Sequence, residues 1–286
     1  MARGSLLFFL LFGLTTARAQ FSPEFIQNSS YWNDGKAEFN IYDAELVREG
    51  VPRHDEALHI LVREPFDLQQ LVKADDWQRP GVVPVLKMNQ ILHAPTGLYV
   101  VQQMHSSFWR ADNGRLAKWS LTSNDSCGNS LQEARRSGEQ FTHIWHTYWD
   151  RMADGTEQVT LPPNGFFYDE LPLRVRTIDF RKTPNGAFEI QLAPTVISSK
   201  KTTLAWHPAQ VNYSTGEKFI KVTVERAGGR DIFVLDRDFP HLLREWTMAD
   251  GSHLKLKRTL KVAYWKYSKP GDRERALNDP MLRPPD

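Results

Sequence analysis

The chain has a single cysteine, hardly any excess of one charge, and no apolar run of the roughly 20 residues that a membrane-spanning helix needs. The lone thiol, Cys127, excludes an intramolecular disulfide framework and any multi-cysteine metal cluster. With 36 basic against 34 acidic residues, the formal charge of +2 is too small for a general nucleic-acid binder. The phosphate-binding loop, G-x-G-x-x-G, G-x-S-x-G and H-E-x-x-H are also missing, which removes the commoner nucleotide-dependent and hydrolase chemistries. No cofactor and no metal is implied. What remains is a 286-residue chain of ordinary globular composition, 41% hydrophobic and 24% charged.

Its N-terminus carries an address. Arg3 precedes the apolar run over 6–14, and Ala17-Arg18-Ala19 places small residues where a signal peptidase reads them. The pattern predicts a signal peptide over 1–19, cleaved between Ala19 and Gln20. It implies a secreted or periplasmic protein with no stable membrane insertion after cleavage. Removing Arg3 and Arg18 with no acid brings the formal charge to zero. Attraction to phosphate or anionic lipid then has no global support. Three N-x-[ST] triplets, at Asn28, Asn124 and Asn212, matter only in a eukaryotic secretory pathway.

Turn signals recur between β-branched and aromatic runs: Asn113-Gly114, Asp154-Gly155, Asn185-Gly186, Gly228-Gly229 and Asp250-Gly251. These residues tolerate the positive φ of tight hairpins. Strands are expected over 37–46, 57–62, 83–92, 98–109, 116–121, 141–149, 188–197, 218–225, 232–235 and 254–264. A two-residue loop at Asn113-Gly114 would pair Phe108 with Trp119, putting Met104, Phe108, Trp119 and Leu121 on one face. Lys255, Lys257 and Lys261 read as the wet face of an amphipathic strand. Helix is expected only over 131–137 and around 168–177, where Pro172 limits it to a first turn or a bend. The expected fold is mostly β: an antiparallel curved half-barrel or a β-sandwich with little helix. It spans 20–267, as one domain or two subdomains, and ends in a loose tail over 268–286.

Candidate chemistry is sparse. Cys127 sits in a polar, Gly-containing loop; with a histidine brought close it would be a nucleophile for a thiol-dependent enzyme. His143 and His146 resemble a metal pair, but residues three apart on a strand face opposite sides. Asp236 and Asp238 share a strand face next to Arg237 and read as solvated charges. Ser198-Ser-Lys-Lys201 fits S-x-x-K without that motif's companion sequences. The aromatics carry more information. Trp145 and Trp149 would share one face of a strand whose other face holds Ile144 and Tyr148, so both sides must be covered or the sheet must curve around a cavity. Trp109, Trp119, Trp145 and Trp149 are therefore the candidate ligand-binding rings. They would line an apolar cavity or, where exposed, form a sugar-stacking platform for a carbohydrate.

The segments Gly35-Lys-Ala-Glu-Phe-Asn-Ile-Tyr, Val83-Pro-Val-Leu-Lys-Met-Asn and Ser123-Asn-Asp-Ser-Cys-Gly, with the closing hairpin down to Tyr264, resemble an uncharacterised family of secreted, β-rich bacterial proteins. Members are sometimes labelled septum formation inhibitor Maf. The S-x-S-P-R-R signature of cytosolic Maf pyrophosphatases does not occur in this chain. The resemblance implies an envelope or secreted location and supplies no catalytic residues. At the level of fold, the pattern is similar to LolA-like periplasmic carriers, in which a curved sheet encloses an apolar site. The expected function is a non-enzymatic envelope protein that binds or carries an apolar or amphipathic molecule, with that molecule or another envelope component as its partner.

Overall fold

The computed structural model describes residues 21–193 and 204–283. The expected signal peptide and the Ser198-Lys201 motif lie outside the described residues. Two single-turn helices, α1 (Glu24–Gln27) and α2 (Ser29–Trp32), lead into β1 (Ala37–Arg48). A meander follows: β2 (Val51–Asp67), the two-residue β3 (Val72–Lys73), β4 (Val82–Thr96), β5 (Tyr99–Arg110), β6 (Leu116–Asp125), β7 (Gly128–Ser137), β8 (Gln140–Thr147) and β9 (Gly155–Thr160). The second half holds β10 (Gly165–Phe167), β11 (Asn185–Ala193), β12 (His207–Thr215), β13 (Phe219–Arg226), β14 (Gly229–Asp236), β15 (Leu243–Thr247) and β16 (His253–Val262). All of them belong to one sheet.

The order of strands forces the sheet to curl. The hydrogen-bonded path runs β10 to β16, then β1 and β2, then β4 to β9, so its two edges are β9 and β10. Fifteen strands at about 4.8 Å spacing would stand some 65 Å apart edge to edge if flat. Yet residues 161–164 alone join the two edges, and an extended link of that length spans only about 17 Å. The sheet therefore curves back on itself, a half-barrel whose two edges lie close together at the link. Across the seam, Trp206 Nε1 donates to the Thr160 carbonyl at 2.8 Å, while Leu161 N–H donates to the Glu139 carbonyl at 2.9 Å and so extends the β8–β9 ladder into the link.

The barrel is plugged by its own chain. After β10, residues 168–177 pass through two 3-10 turns, Tyr168–Glu170 and Val175–Thr177, on either side of α3 (Leu171–Arg174). Every one of these ten residues is buried. They touch the wall in several directions: Tyr168 Oη donates to Asp231 on β14, Trp119 on β6 donates to Asp169, and Arg176 reaches Glu38 on β1. Pro172 lies in the first turn of the single-turn α3, where a missing backbone N–H costs no helical bond. The antiparallel contact Phe21 to Ile178 and the Ser22 N–H bond to the Thr177 carbonyl add the N-terminal segment to the same stopper.

Inward residues follow the ladder register. Thr259, Asn40, His59, Gln90, His105, Leu121, Gln132 and Trp145 are successive cross-strand partners from β16 to β8, a mostly polar row around the inner wall. On the other side of the interior the wall is apolar, with Val211, Val222, Val224, Phe233, Leu235 and Trp246 in the larger core cluster.

Several expectations need correction. Residues 131–137 are strand and not helix: they belong to β7, where Gln132 and Ala134 alternate inward and pair with β8. Ladder bonds on both sides override the helix propensity of Gln, Glu and Ala. The β5–β6 turn spans more than two residues, and a bulge at Phe108/Trp109 shifts the register, so Ser107 faces Trp119 while Phe108 pairs with Lys118 on the outer face. A second bulge, opposite Ile41/Tyr42, turns Lys261 inward, away from the exposed Lys255 and Lys257. It also turns Leu260 and Val262 outward, where α4 (Asp272–Asn278) covers them with Ala276 and Leu277. The residues expected to form a loose tail thus fold back onto β16.

A candidate binding site at the barrel seam

Where β9 and β10 fail to pair, a cavity of about 540 Å3 opens beside the 161–164 link. Its apolar lining comes from Phe141, Leu161, Pro162, Phe166 and Phe167, and its polar lining from Arg115, Arg136, Arg174, Glu139 and Glu170. That volume lies within the range of small-molecule sites, about 300–1,000 Å3. A larger groove of about 790 Å3 lies between the N-terminal segment, residues 176–181 and the β14–β15 loop. It is lined largely by hydrophilic side chains such as Gln27, Asn28, Ser30, Arg181 and Asp238. That groove also holds Phe25, Phe180 and Phe239, but the seam is the more apolar of the two.

Stacked rings build the back of the seam. Phe167 lies parallel to Trp119 at 5.2 Å between centroids, and Phe141 meets its edge at the same distance. Phe167 also hands its backbone N–H to Glu170 Oε1 at 2.9 Å. Glu170 Oε2 accepts from Trp109 Nε1 at 2.7 Å and from Arg174 Nε and Nη2 at 3.0 and 2.8 Å. Arg174 Nη1 donates to the Gly114 carbonyl at 3.2 Å, and its guanidinium lies over Trp109 and Phe166. Arg136 lies over Phe141 and donates to the carbonyls of Gly138 and Leu116 and to Glu139. Burial pushes the Arg136 pKa down, and the Arg115 and Arg174 charges push the same way against the pull of Glu139 and Glu170.

Above this layer, Asp169 faces His105, with Nδ1 2.9 Å from Oδ1 but out of hydrogen-bond alignment. Asp169 also accepts from Trp119 Nε1 at 3.0 Å, while its carbonyl accepts from Gln90. The His59 ring, next inward partner of Gln90 on β2, has its pKa pushed to about 3, first by burial and then by the Arg176 and His105 charges. It stays neutral.

The candidate aromatic residues divide. Trp109 and Trp119 are fully buried with their indole N–H groups committed to Glu170 and Asp169, so they fasten the plug to the wall and offer no face for a sugar to stack on. Trp145 is half-buried on the inner face of β8, with its ring against Gly155, where a Cβ would come within 2.3 Å of it. Trp149 lies beyond the end of β8, also half-buried, so the two do not share a strand face. The exposed indoles are Trp77 and Trp265.

Cys127 is exposed in the two-residue turn between β6 and β7, its N–H bonded to Asp125 Oδ1 at 3.0 Å. No histidine among the described residues hydrogen-bonds its thiol. His143 and His146 face opposite sides of β8: His143 is buried against Glu157 at 2.8 Å, and His146 is exposed beside Asp154 at 3.2 Å. Asp236 closes β14 and pairs with Arg244 at 2.7 Å, while Asp238 lies in the following loop. No group of three or more metal-ligating side chains occurs among the described residues.

Sequence reasoning missed Arg136 and Arg174. Arg136 lay in an expected helix, and Arg174 in a segment read as a first helical turn or a bend. The signal that could have found them is Pro162-Pro163-Asn164-Gly165-Phe166-Phe167, a strand break followed by paired rings.

No protein-family model matches the chain, and no curated protein matches it. Among solved structures it is similar to a β-barrel-like protein of a domain of unknown function, DUF1849, from Brucella abortus. The identity is 11%, the match covers 78% of this chain and 97% of that one, and the TM-score is 0.47.

Proposed function

We propose that this is an exported, non-enzymatic protein that binds or carries an apolar or amphipathic small molecule at the barrel seam. One observation carries the reading: among the described residues, the place where the hydrogen-bonded wall is interrupted, between β9 and β10, coincides with a cavity of about 540 Å3 walled by Phe141, Leu161, Phe166 and Phe167. A break in a sheet exposes unpaired backbone edges, and folds ordinarily cover or pair them. Here the edge strands are short, and the space between them is lined for an apolar guest. The export signal read at the N-terminus fits a carrier of molecules that water dissolves poorly.

The test is binding of a neutral apolar fluorophore, N-phenyl-1-naphthylamine, to the full chain and to Leu161→Trp, which adds an indole to the cavity lining. Saturable binding that Leu161→Trp weakens at least about tenfold supports the seam as the site. Equal binding by both proteins, or none by the unaltered protein, sinks it. Native mass spectrometry of protein taken from its own source would then identify a retained guest.

A further inference from the structure

The chain has no useful net charge, yet the seam has a local one. Arg115, Arg136 and Arg174 line it against two carboxylates, Glu139 and Glu170. Both oxygens of Glu170 are already engaged, by Phe167 N–H on one side and by Trp109 and Arg174 on the other. Glu139 is largely exposed and shared between Arg115 and Arg136, so water screens much of its charge. Three arginines against two carboxylates leave one positive charge in excess, and of the three Arg136 and Arg174 are largely buried.

Donor accounting points the same way. A guanidinium has five N–H groups. Arg136 commits one each from Nε, Nη1 and Nη2, to Gly138, Leu116 and Glu139. Arg174 likewise commits one each, two to Glu170 and one to Gly114. Each therefore keeps about two donors to spare, beside a wall of Phe166, Phe167 and Leu161. Planar guanidinium edges match carboxylate and phosphate oxygens bidentately, and each ring beneath them holds its guanidinium in place.

Resting on the binding function proposed above, we infer that the seam selects single-chain amphiphiles with an anionic head, the head held by Arg136 and Arg174 and the chain lying against the aromatic wall. An oxyanion there balances the one excess positive charge and accepts from the spare donors, which a cationic head cannot do and a neutral head does only in part. A carboxylate and a phosphate monoester share this chemistry.

The experiment is displacement of N-phenyl-1-naphthylamine from the full chain by four ligands of equal chain length: dodecanoate, dodecyl phosphate, dodecanol and dodecylammonium. Expected is binding of at least one anion about tenfold or more tighter than dodecanol, with dodecylammonium weakest. The tighter anion identifies the head. Arg136→Gln should shrink the preference to about threefold or less, and Arg136→Lys should keep part of it. A circular dichroism spectrum matching that of the unaltered protein shows that each variant is folded. Equal binding of dodecanol and both anions overturns the charge selection and leaves the seam reading standing. Failure of all four ligands and of the fluorophore overturns both.

Discussion

The bond between Glu38 and Arg176 makes the strongest test of the plugged-barrel architecture. Arg176 Nη1 and Nη2 meet Glu38 Oε1 and Oε2 at 2.8 and 2.9 Å, with both side chains 3% exposed or less. The pair joins the plug to β1. Burial alone would raise the Glu38 pKa, but the Arg176 charge, with hydrogen bonds from Arg176, Asn40 and Tyr31, brings it below the ordinary carboxylate value. In the unaltered protein this contribution is fully present above about pH 4.5 and is lost only as pH falls through the lowered folded value. Arg176→Met leaves a buried carboxylate without its cation, which costs about 3–5 kcal/mol, or roughly 6–20 °C in Tm for a chain of this size. The pH dependence then reverses. Burial without Arg176 raises the Glu38 pKa above its unfolded value, so the penalty should be largest near pH 8 and shrink toward pH 5, where the carboxyl takes up a proton. Glu38→Gln instead strands a guanidinium that cannot lose its charge, so its penalty should be the same at both pH values. Thermal unfolding followed by circular dichroism at pH 5 and pH 8 reads all three proteins. An Arg176→Met Tm within about 2 °C of the parent at pH 8, or a penalty no smaller at pH 5, refutes the reasoning.

Three further outcomes follow from the same geometry. His59, held neutral with a pKa of about 3, takes up no proton in the fold until far below its unfolded value near 6.5; it should therefore cost up to ~1.4 kcal/mol of stability per pH unit below that value, and His59→Gln should flatten the pH 4–6 part of the stability curve. Cys127, exposed in its turn, should react with a maleimide about as fast in the native as in the unfolded protein, and Cys127→Ser should change stability by no more than ~0.5 kcal/mol; slow native labelling would contradict the exposed placement. Ending the chain after Tyr267 removes α4 and bares Leu260 and Val262, so the shortened protein should bind anilinonaphthalene sulfonate more strongly and aggregate at lower temperature.

The antiparallel, curved β character was legible in the alternation of apolar and polar residues and in the turns Gly228-Gly229 and Asp250-Gly251, which do reverse the chain. Asn185-Gly186 does not: it begins β11, with Gly186 beneath the Tyr213 ring, so its glycine serves close approach and not a turn. Glu49-Gly50 went unread because Glu49 takes a φ of 54°, a conformation usually held by Asn, Asp or Gly. Single-residue bulges were invisible as well. Each flips every later side chain to the other face, which is why Phe108 and Lys261 ended on the faces opposite to those expected. The seam site resisted reading for a related reason. Its arginines come from the β5–β6 turn, from β7 and from the plug, segments that only the curling of the sheet brings together.

That closure has a consequence for the integrity of the chain. The first and last strands of the barrel, β1 and β16, are hydrogen-bonded neighbours, whereas the two free margins of the sheet meet in mid-sequence at residues 161–164. The ends of the polypeptide and the ends of the sheet have thus exchanged places. A protease cut in that link would sever no ladder. The two fragments would stay joined through the β1–β16 seam-opposite pairing and the plug, and a single nick at Asn164 would give two peptides on a denaturing gel but one particle in native solution. Natural or engineered new termini at this link would be tolerated for the same reason, and the chain could begin at β10 and end at β9 around an unchanged wall.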